Sequence, residues 1–283
     1  MKAFNEYLNK TSRFWGLVSF VSENLGYSEK DKIKSYSFEE IFELFKEKGI
    51  RITNEEIRDV ENYLLNRASI LNNYVKGDLM DVEEARYHYD IYYSIYKKEK
   101  LKCKLPLNKQ KGDMRNVAYF TALINIITER ILNEFFLRNR GGSIISFDDD
   151  PRSLSYFYDQ YENIIGSSSR RFDGAFPNTI NPKIVWEIKE YYYNKTFGSR
   201  VADGVYETQL DGYEFKDLFN GYHKKVYHVL FVDSYNTWWT LGKPYLCRLI
   251  DTLNKGLVDE VIFGKEIFTD WPNLMRNVLI ENF

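Results

Sequence analysis

A chain of 283 residues is long enough to bury a sizeable core, in one large domain or two unequal ones; 44% hydrophobic and 28% charged residues are ordinary for a globular protein. A net charge of -2 supplies no global basic field, which argues against a protein that coats nucleic acid passively. The two cysteines, Cys103 and Cys247, stand far apart with no C-x-x-C spacing, so neither a disulfide framework nor a zinc ribbon is expected.

The opening Met-Lys-Ala-Phe-Asn-Glu lacks the apolar core of a signal peptide, and the longest uncharged run, Asn116 to Thr128, is too short to span a bilayer. No membrane association is therefore expected, and a cytoplasmic location is the simplest reading. The first hundred residues read as helices. Ser37 and Glu40 form a capping box ahead of an apolar face of Phe38, Ile41, Phe42 and Phe45, and Gly49 ends that helix. Thr53 and Glu56 form a second box, opening a helix through Ile57, Val60 and Leu64. Two capped helices across a short connection fit a helix-turn-helix, part of a winged helix, or an ordinary αα-hairpin. On the second of them only Arg58 and Arg67 are cations. A further helix is predicted over Asp81–Lys98, leading into a polar stretch over 99–113 that contains Pro106 and Gly112. That stretch sets the expected boundary, between a helical region 1–110 and a core 111–283.

Beyond it the pattern changes. Met114–Phe136 is predicted as an amphipathic helix burying Val117, Phe120, Leu123, Ile124, Ile127 and Ile131, stopped by Gly141-Gly142. Ser143–Phe147 reads as a short strand. Arg170–Phe176 and Lys183–Tyr193 read as two strands joined by the turn Pro177–Pro182. A helix within Val201–Phe219, an apolar strand Val226–Val232, a helix Tyr245–Leu253 and a closing strand Val258–Phe263 complete the order. The expected fold is α/β, with a central mixed β-sheet flanked by helices.

Within this frame Asp173-Gly174 closes one strand, and Glu187-Ile188-Lys189 lies inside the next. Side chains alternate along a strand, so Glu187 and Lys189 share a face while Ile188 takes the other. A hairpin between the strands can return the Asp173 carboxylate to that face. Two carboxylates and the backbone carbonyl of Ile188 make a hard-oxygen site suited to Mg2+ and completed by water. Lys189 beside that water would stabilise hydroxide and the charge developing on phosphate. The bare string is common. Its setting in an apolar strand, beside Val185 and Trp186, gives it weight, because unpaired charge there is costly.

Arg171-Phe172-Asp173-Gly174 and Val185-Trp186-Glu187-Ile188-Lys189 resemble the two halves of the PD-(D/E)XK motif of type II restriction endonucleases, over a core of residues 114–265. Phe172 stands where the motif's proline would be. The resemblance implies a restriction-endonuclease-like core in which Asp173 and Glu187 bind Mg2+ and Lys189 serves the attacking water. Members often add an acid from the first core helix: Glu129 is the candidate here, with Glu134 and Glu162 as rivals, and pairing with a neighbouring cation explains each equally well. Gln209 and Tyr213 have the Gln-x-x-x-Tyr spacing of RecB-like branches. The implied activity is Mg2+-dependent hydrolysis of double-stranded DNA, by a homodimer if the cut site is symmetric, with a cognate DNA methyltransferase in the same system. A repair, recombination or phage-defence nuclease is the alternative within this chemistry. A catalytically silent DNA-binding protein is the alternative outside it.

Other features are open to two readings each. Arg170 and Arg171 are candidates for holding phosphate or reading a guanine edge, or they form simple salt bridges. Lys109 and Lys111 are candidates for phosphate contact within what is otherwise a solvated linker. Asp148-Asp149-Asp150 suggests a second metal site or a capped turn. Tyr191–Tyr193 and Trp238-Trp239 would stack on bases or pack the core. His88, His223 and His228 do not cluster as ligands. No phosphate-binding glycine loop, nucleophile elbow or dinucleotide fingerprint is present.

Overall fold

Helices dominate the first hundred residues because the four longer ones each start on a side-chain cap, at Thr11, Ser37, Thr53 and Asp81, and each buries one apolar stripe. In the computed structural model, which describes residues 1–108, 115–138 and 146–282, α1 (Ser12–Leu25) is followed by a minimal hairpin, β1 (Ser28–Glu29) and β2 (Lys32–Ile33). Next come α2 (Phe38–Glu47) and α3 (Asn54–Ile70). Both predicted capping boxes are formed, and Gly49 takes the left-handed conformation just past α2. The buried row of α2 is Ile41, Leu44 and Phe45, whereas Phe42, expected inside, is 40% exposed. These residues join Phe14, Val18 and Val21 of α1 and Ile57, Val60 and Leu64 of α3 in one cluster. Of the two cations read on α3, Arg58 is exposed, but Arg67 is buried against Asp251 and is not available to read DNA.

A π-helical turn (Leu71–Val75) and the short α4 (Lys76–Asp78) lead to α5 (Val82–Glu99), capped by Asp81. α5 packs along α6 (Tyr119–Arg138), and its Ala85 and Tyr89 belong to the same core cluster as Phe120, Leu123, Ile124, Ile127 and Ile131. Met114, Gly141-Gly142 and most of the expected strand Ser143–Phe147 lie outside the described residues. Just beyond, Asp148 bridges antiparallel to Ala175. A hairpin not foreseen from sequence follows, β3 (Tyr156–Tyr158) with β4 (Ile164–Ser167).

The central sheet is mixed. β5 (Gly174–Phe176) runs antiparallel to β6 (Ile184–Glu190), and β7 (Tyr227–Asp233) and β8 (Glu260–Phe263) continue in parallel, in the order β5-β6-β7-β8. The parallel strands are near-continuous apolar runs because helices cover both of their faces. Trp186, Val229, Phe231 and Ile262 pack on α6 and on α9 (Asp270–Asn282), a helix the sequence reading did not reach. Leu230, Val232, Val261 and Phe263 pack on α7 (Ser199–Tyr222) and α8 (Lys243–Asn254). No described helix is long and apolar enough to cross a membrane.

Candidate active site

The site begins with a glycine. A Cβ at Gly174 would stand 2.0 Å from the Trp186 ring, so only glycine lets the chain lie flat on that indole as β5 starts. The Asp173 amide donates to the Trp186 carbonyl at 3.0 Å, and the ladder then stops. In place of a further strand residue, Asp173 Oδ2 accepts the Ile188 amide at 2.8 Å. The carbonyl and amide of one strand residue point to the same edge, so the Ile188 carbonyl lies on the edge that Asp173 occupies.

Glu187 and Lys189 project together to the opposite sheet face from Trp186, under α7, and are 2% and 6% exposed. Lys189 Nζ lies 3.1 Å from Glu187 Oε2, and its stem rests on Gly204 of α7. Arg170 reaches the same oxygen through Nη2 at 3.0 Å and forks onto Asp211 of α7. Glu207, exposed on the next turn of α7, lies 3.7 Å from Arg170 and 3.9 Å from Lys189. Glu187 Oε2 thus has two cations, whereas its Oε1, also buried, has no hydrogen-bond partner among the described residues. An unpartnered carboxylate oxygen in the interior is costly, and a bound cation would remove the cost.

The electrostatics follow from this crowding. Asp173 keeps an exposed surface, yet the protein around it limits its hydration and pushes its carboxyl up to about 6, with the Glu187 charge adding to the shift and Lys189 opposing it. Burial also raises Asp211 to about 6 against the pull of Arg170. Burial pulls the Lys189 ammonium down, but the negative groups around it, Glu187 foremost, together outweigh it and the net shift is upward. For a hard divalent cation the available donors are Asp173, Glu187 Oε1 and the Ile188 carbonyl, an oxygen set that matches Mg2+ chemistry. Among the described residues no group of three His, Cys, Asp or Glu side chains is arranged around one point, so substrate or water would complete any coordination.

The structure therefore brings Asp173, Glu187, Ile188, Lys189 and Arg170 together and sends several other candidates elsewhere. Glu129 lies on α6, which packs on the Trp186 face, and its carboxylate accepts the amides of Lys102 and Cys103, so it is not joined to Asp173 and Glu187. Glu134 pairs with Arg276 at 3.7 Å, and Glu162 sits in the β3–β4 turn. Arg171 is exposed with no hydrogen bond or ion pair to the described residues. Lys109 and Lys111 lie outside those residues. Gln209 donates to Thr252 of α8 rather than facing Glu187, and Tyr213 is exposed. Asp148, Asp149 and Asp150 form a turn tied to Lys104 and Arg152, the capped-turn reading. Trp238 and Trp239 are buried, and the Trp238 indole donates to the Lys189 carbonyl. His228 is buried among Phe172 and Phe215, which lowers its pKa to about 4.

Asp211 was missed. The signal for it was a lone acid on the buried row of α7, in step with Val201, Val205 and Thr208, where a carboxylate needs a buried cation.

Two family models match the chain. Residues 80–278 match a domain of unknown function, DUF7687, and residues 1–74 match a second one, DUF7690. The two meet ahead of α5. No curated protein and no solved structure matches the chain.

Proposed function

We propose that this chain, which belongs to the DUF7687 family, is a metal-dependent nuclease of the PD-(D/E)XK type that hydrolyses phosphodiester bonds of double-stranded DNA in the manner of a type II restriction endonuclease. The observation that carries this reading is the β5–β6 hairpin. It sets the Asp173 carboxylate on the Ile188 amide while Glu187 and Lys189 lie buried side by side, with Glu187 Oε1 bare. The order α6, the Asp148 bridge, β5, β6, α7 and parallel β7, with the separate β3–β4 hairpin inserted ahead of β5, supports the same reading, since it fits the α/β order expected of a restriction-endonuclease-like core.

Asp173, Glu187 Oε1 and the Ile188 carbonyl would hold Mg2+, which supplies an activated water and charge compensation at the phosphate. Lys189 carries its own share. Kept charged by Glu187, its ammonium offers hydrogen bonds to an attacking water and to negative charge developing beside it. Arg170 has one edge committed to Asp211, and its Nη1 faces the rim near Glu207, the edge from which it would meet a phosphate oxygen. Cutting both strands of a symmetric site needs two such centres, so the reading carries a homodimer. It also carries a protecting DNA methyltransferase and a cytoplasmic location.

Plasmid DNA incubated with Mg2+ tests it. The wild-type chain is expected to cut, and purified Glu187→Ala and Lys189→Ala variants, folded by circular dichroism, are expected to lose at least about 100-fold in rate. Undiminished cleavage by either variant overturns the site assignment. Discrete bands mark a restriction enzyme, a smear or nicks a nuclease of repair or defence type, and intact DNA a silent binding protein.

A further inference from the structure

Asp211 is fully buried on α7, and its carboxylate takes one whole edge of Arg170: Nε at 3.1 Å to each oxygen and Nη2 at 2.8 Å. The next residue keeps it in place. A Cβ at Gly212 would stand 2.2 Å from the Leu257 carbonyl oxygen, so α7 is pressed against the backbone leading into β8 just where Asp211 projects. Held in this way, Arg170 touches only one oxygen of Glu187, Oε2 through Nη2 at 3.0 Å, and Oε1 has no hydrogen-bond partner among the described residues. Charge balance points the same way. Asp173, Glu187, Asp211 and the rim Glu207 face Arg170 and Lys189, which leaves two net negative charges when all are ionised. Without the Asp211 charge only one is left, which halves the net negative charge that a divalent cation would meet.

We propose that Asp211 is a positioning residue for the cation site: by holding and neutralising Arg170 it keeps the guanidinium from closing over Glu187, so that the buried Oε1 is left for a divalent cation that Asp211 itself does not touch. This rests on the metal-dependent reading of Asp173 and Glu187.

Mn2+ alone, titrated into the full chain by calorimetry at low salt, separates the two ideas. Wild type is expected to bind and Glu187→Gln to lose binding. Asp211→Asn, which keeps size and shape, should weaken Mn2+ affinity at least about tenfold because Arg170 is left unopposed. The double variant Arg170→Gln with Asp211→Asn removes one charge of each sign and should return to within about threefold of wild type, a coupling that a merely structural role for Asp211 would not produce. Mn2+ affinity in Asp211→Asn equal to wild type, or a double variant as weak as the single one, overturns the proposal while the nuclease reading stands. If wild type and Glu187→Gln titrate alike, the metal-site reading falls and this proposal falls with it. Should Asp211→Asn fail to fold, the double variant decides alone: near-wild-type affinity supports the charge argument, and a loss of about tenfold refutes it.

Discussion

Arg67 and Arg170 are both arginines pressed onto buried aspartates, but one cluster is closed and the other open. Arg67 on α3 places Nη1 at 3.0 Å from both oxygens of Asp251 on α8 and Nη2 at 2.8 Å from Ser22 of α1, and Tyr63 donates to the same aspartate at 2.5 Å. Its side chain is 1% exposed, and every charge in the group has its counter-charge inside the group. Only Arg67 Nε lacks a partner. Arg170 is 24% exposed, and its contacts run on from Asp211 to Glu187, whose second oxygen is empty, and outward to Glu207 at the rim. The same ion pair serves two purposes. Closed, it clamps the N-terminal helices to α8; open, it leaves one oxygen of a buried carboxylate without a partner among the described residues.

Breaking the closed cluster should have the largest effect on stability. Arg67→Met leaves Asp251 in the interior with a hydroxyl as its remaining side-chain partner, and loss of one member of a buried pair costs about 3–5 kcal/mol. Urea denaturation reads that cost, and Mn2+ binding per folded molecule should be unchanged. A cost under about 1 kcal/mol would mean the cluster is not a clamp.

A smaller effect is expected on the other face of β6. Glu190 ends that strand and accepts the Thr121 amide at 3.0 Å and the Thr121 hydroxyl at 2.9 Å, capping α6 with a buried carboxyl. Burial raises it from 4.5 to about 7, with the amides at the helix start opposing. A folded pKa above the unfolded one means that this group's contribution to stability is complete below pH 4.5 and is lost as pH rises through 7. Glu190→Gln keeps an acceptor oxygen and cannot ionise. It should therefore exceed wild type by about 1–3 kcal/mol at pH 8 and match it at about pH 4 in urea titrations. An advantage independent of pH would show that the carboxyl is not charged at pH 8.

What could be read beforehand divides along the same physical line. Local signals were legible: Ser37 with Glu40 and Thr53 with Glu56 cap their helices, and alternation along Ile184–Glu190 puts Glu187 and Lys189 on one face. That Asp173 and Glu187 come from the two sides of one hairpin was legible from the short turn between them, but that Asp173 Oδ2 takes the Ile188 amide was not. Contacts set by packing of distant elements were not legible. Nothing near Arg67 in the chain announces Asp251, and nothing near Glu129 announces that the amides of Lys102 and Cys103 would take its carboxylate. Asp211 lies between these cases: its helical phase marked it as buried, but its partner Arg170 comes from the loop ahead of β5. α9 shows a row of Trp271, Leu274, Met275, Val278 and Leu279 at helical spacing, a signal that was present and passed over.

The finest test of the open cluster is Gly204→Ala. A Cβ there would lie 3.3 Å from Lys189 Cε and 3.4 Å from Nζ, tighter than ordinary packing but against the free end of a flexible side chain. Alanine in a helix interior is favoured over glycine by up to about 1 kcal/mol, which offsets the crowding, so overall stability should change by less than about 1 kcal/mol. Lys189 has less freedom to adjust, since its ammonium sits on Glu187 Oε2 and its carbonyl accepts the Trp238 indole. It must move a few tenths of an ångström relative to Glu187, and displacement of a group aligned with a reacting centre costs up to about 100-fold in rate per ångström. The expected result is a several-fold lower rate of plasmid cleavage in Mg2+ at an essentially unchanged urea midpoint. A wild-type rate with raised stability would show that α7 does not set the position of Lys189. The open cluster would then depend on Arg170 and Asp211 alone.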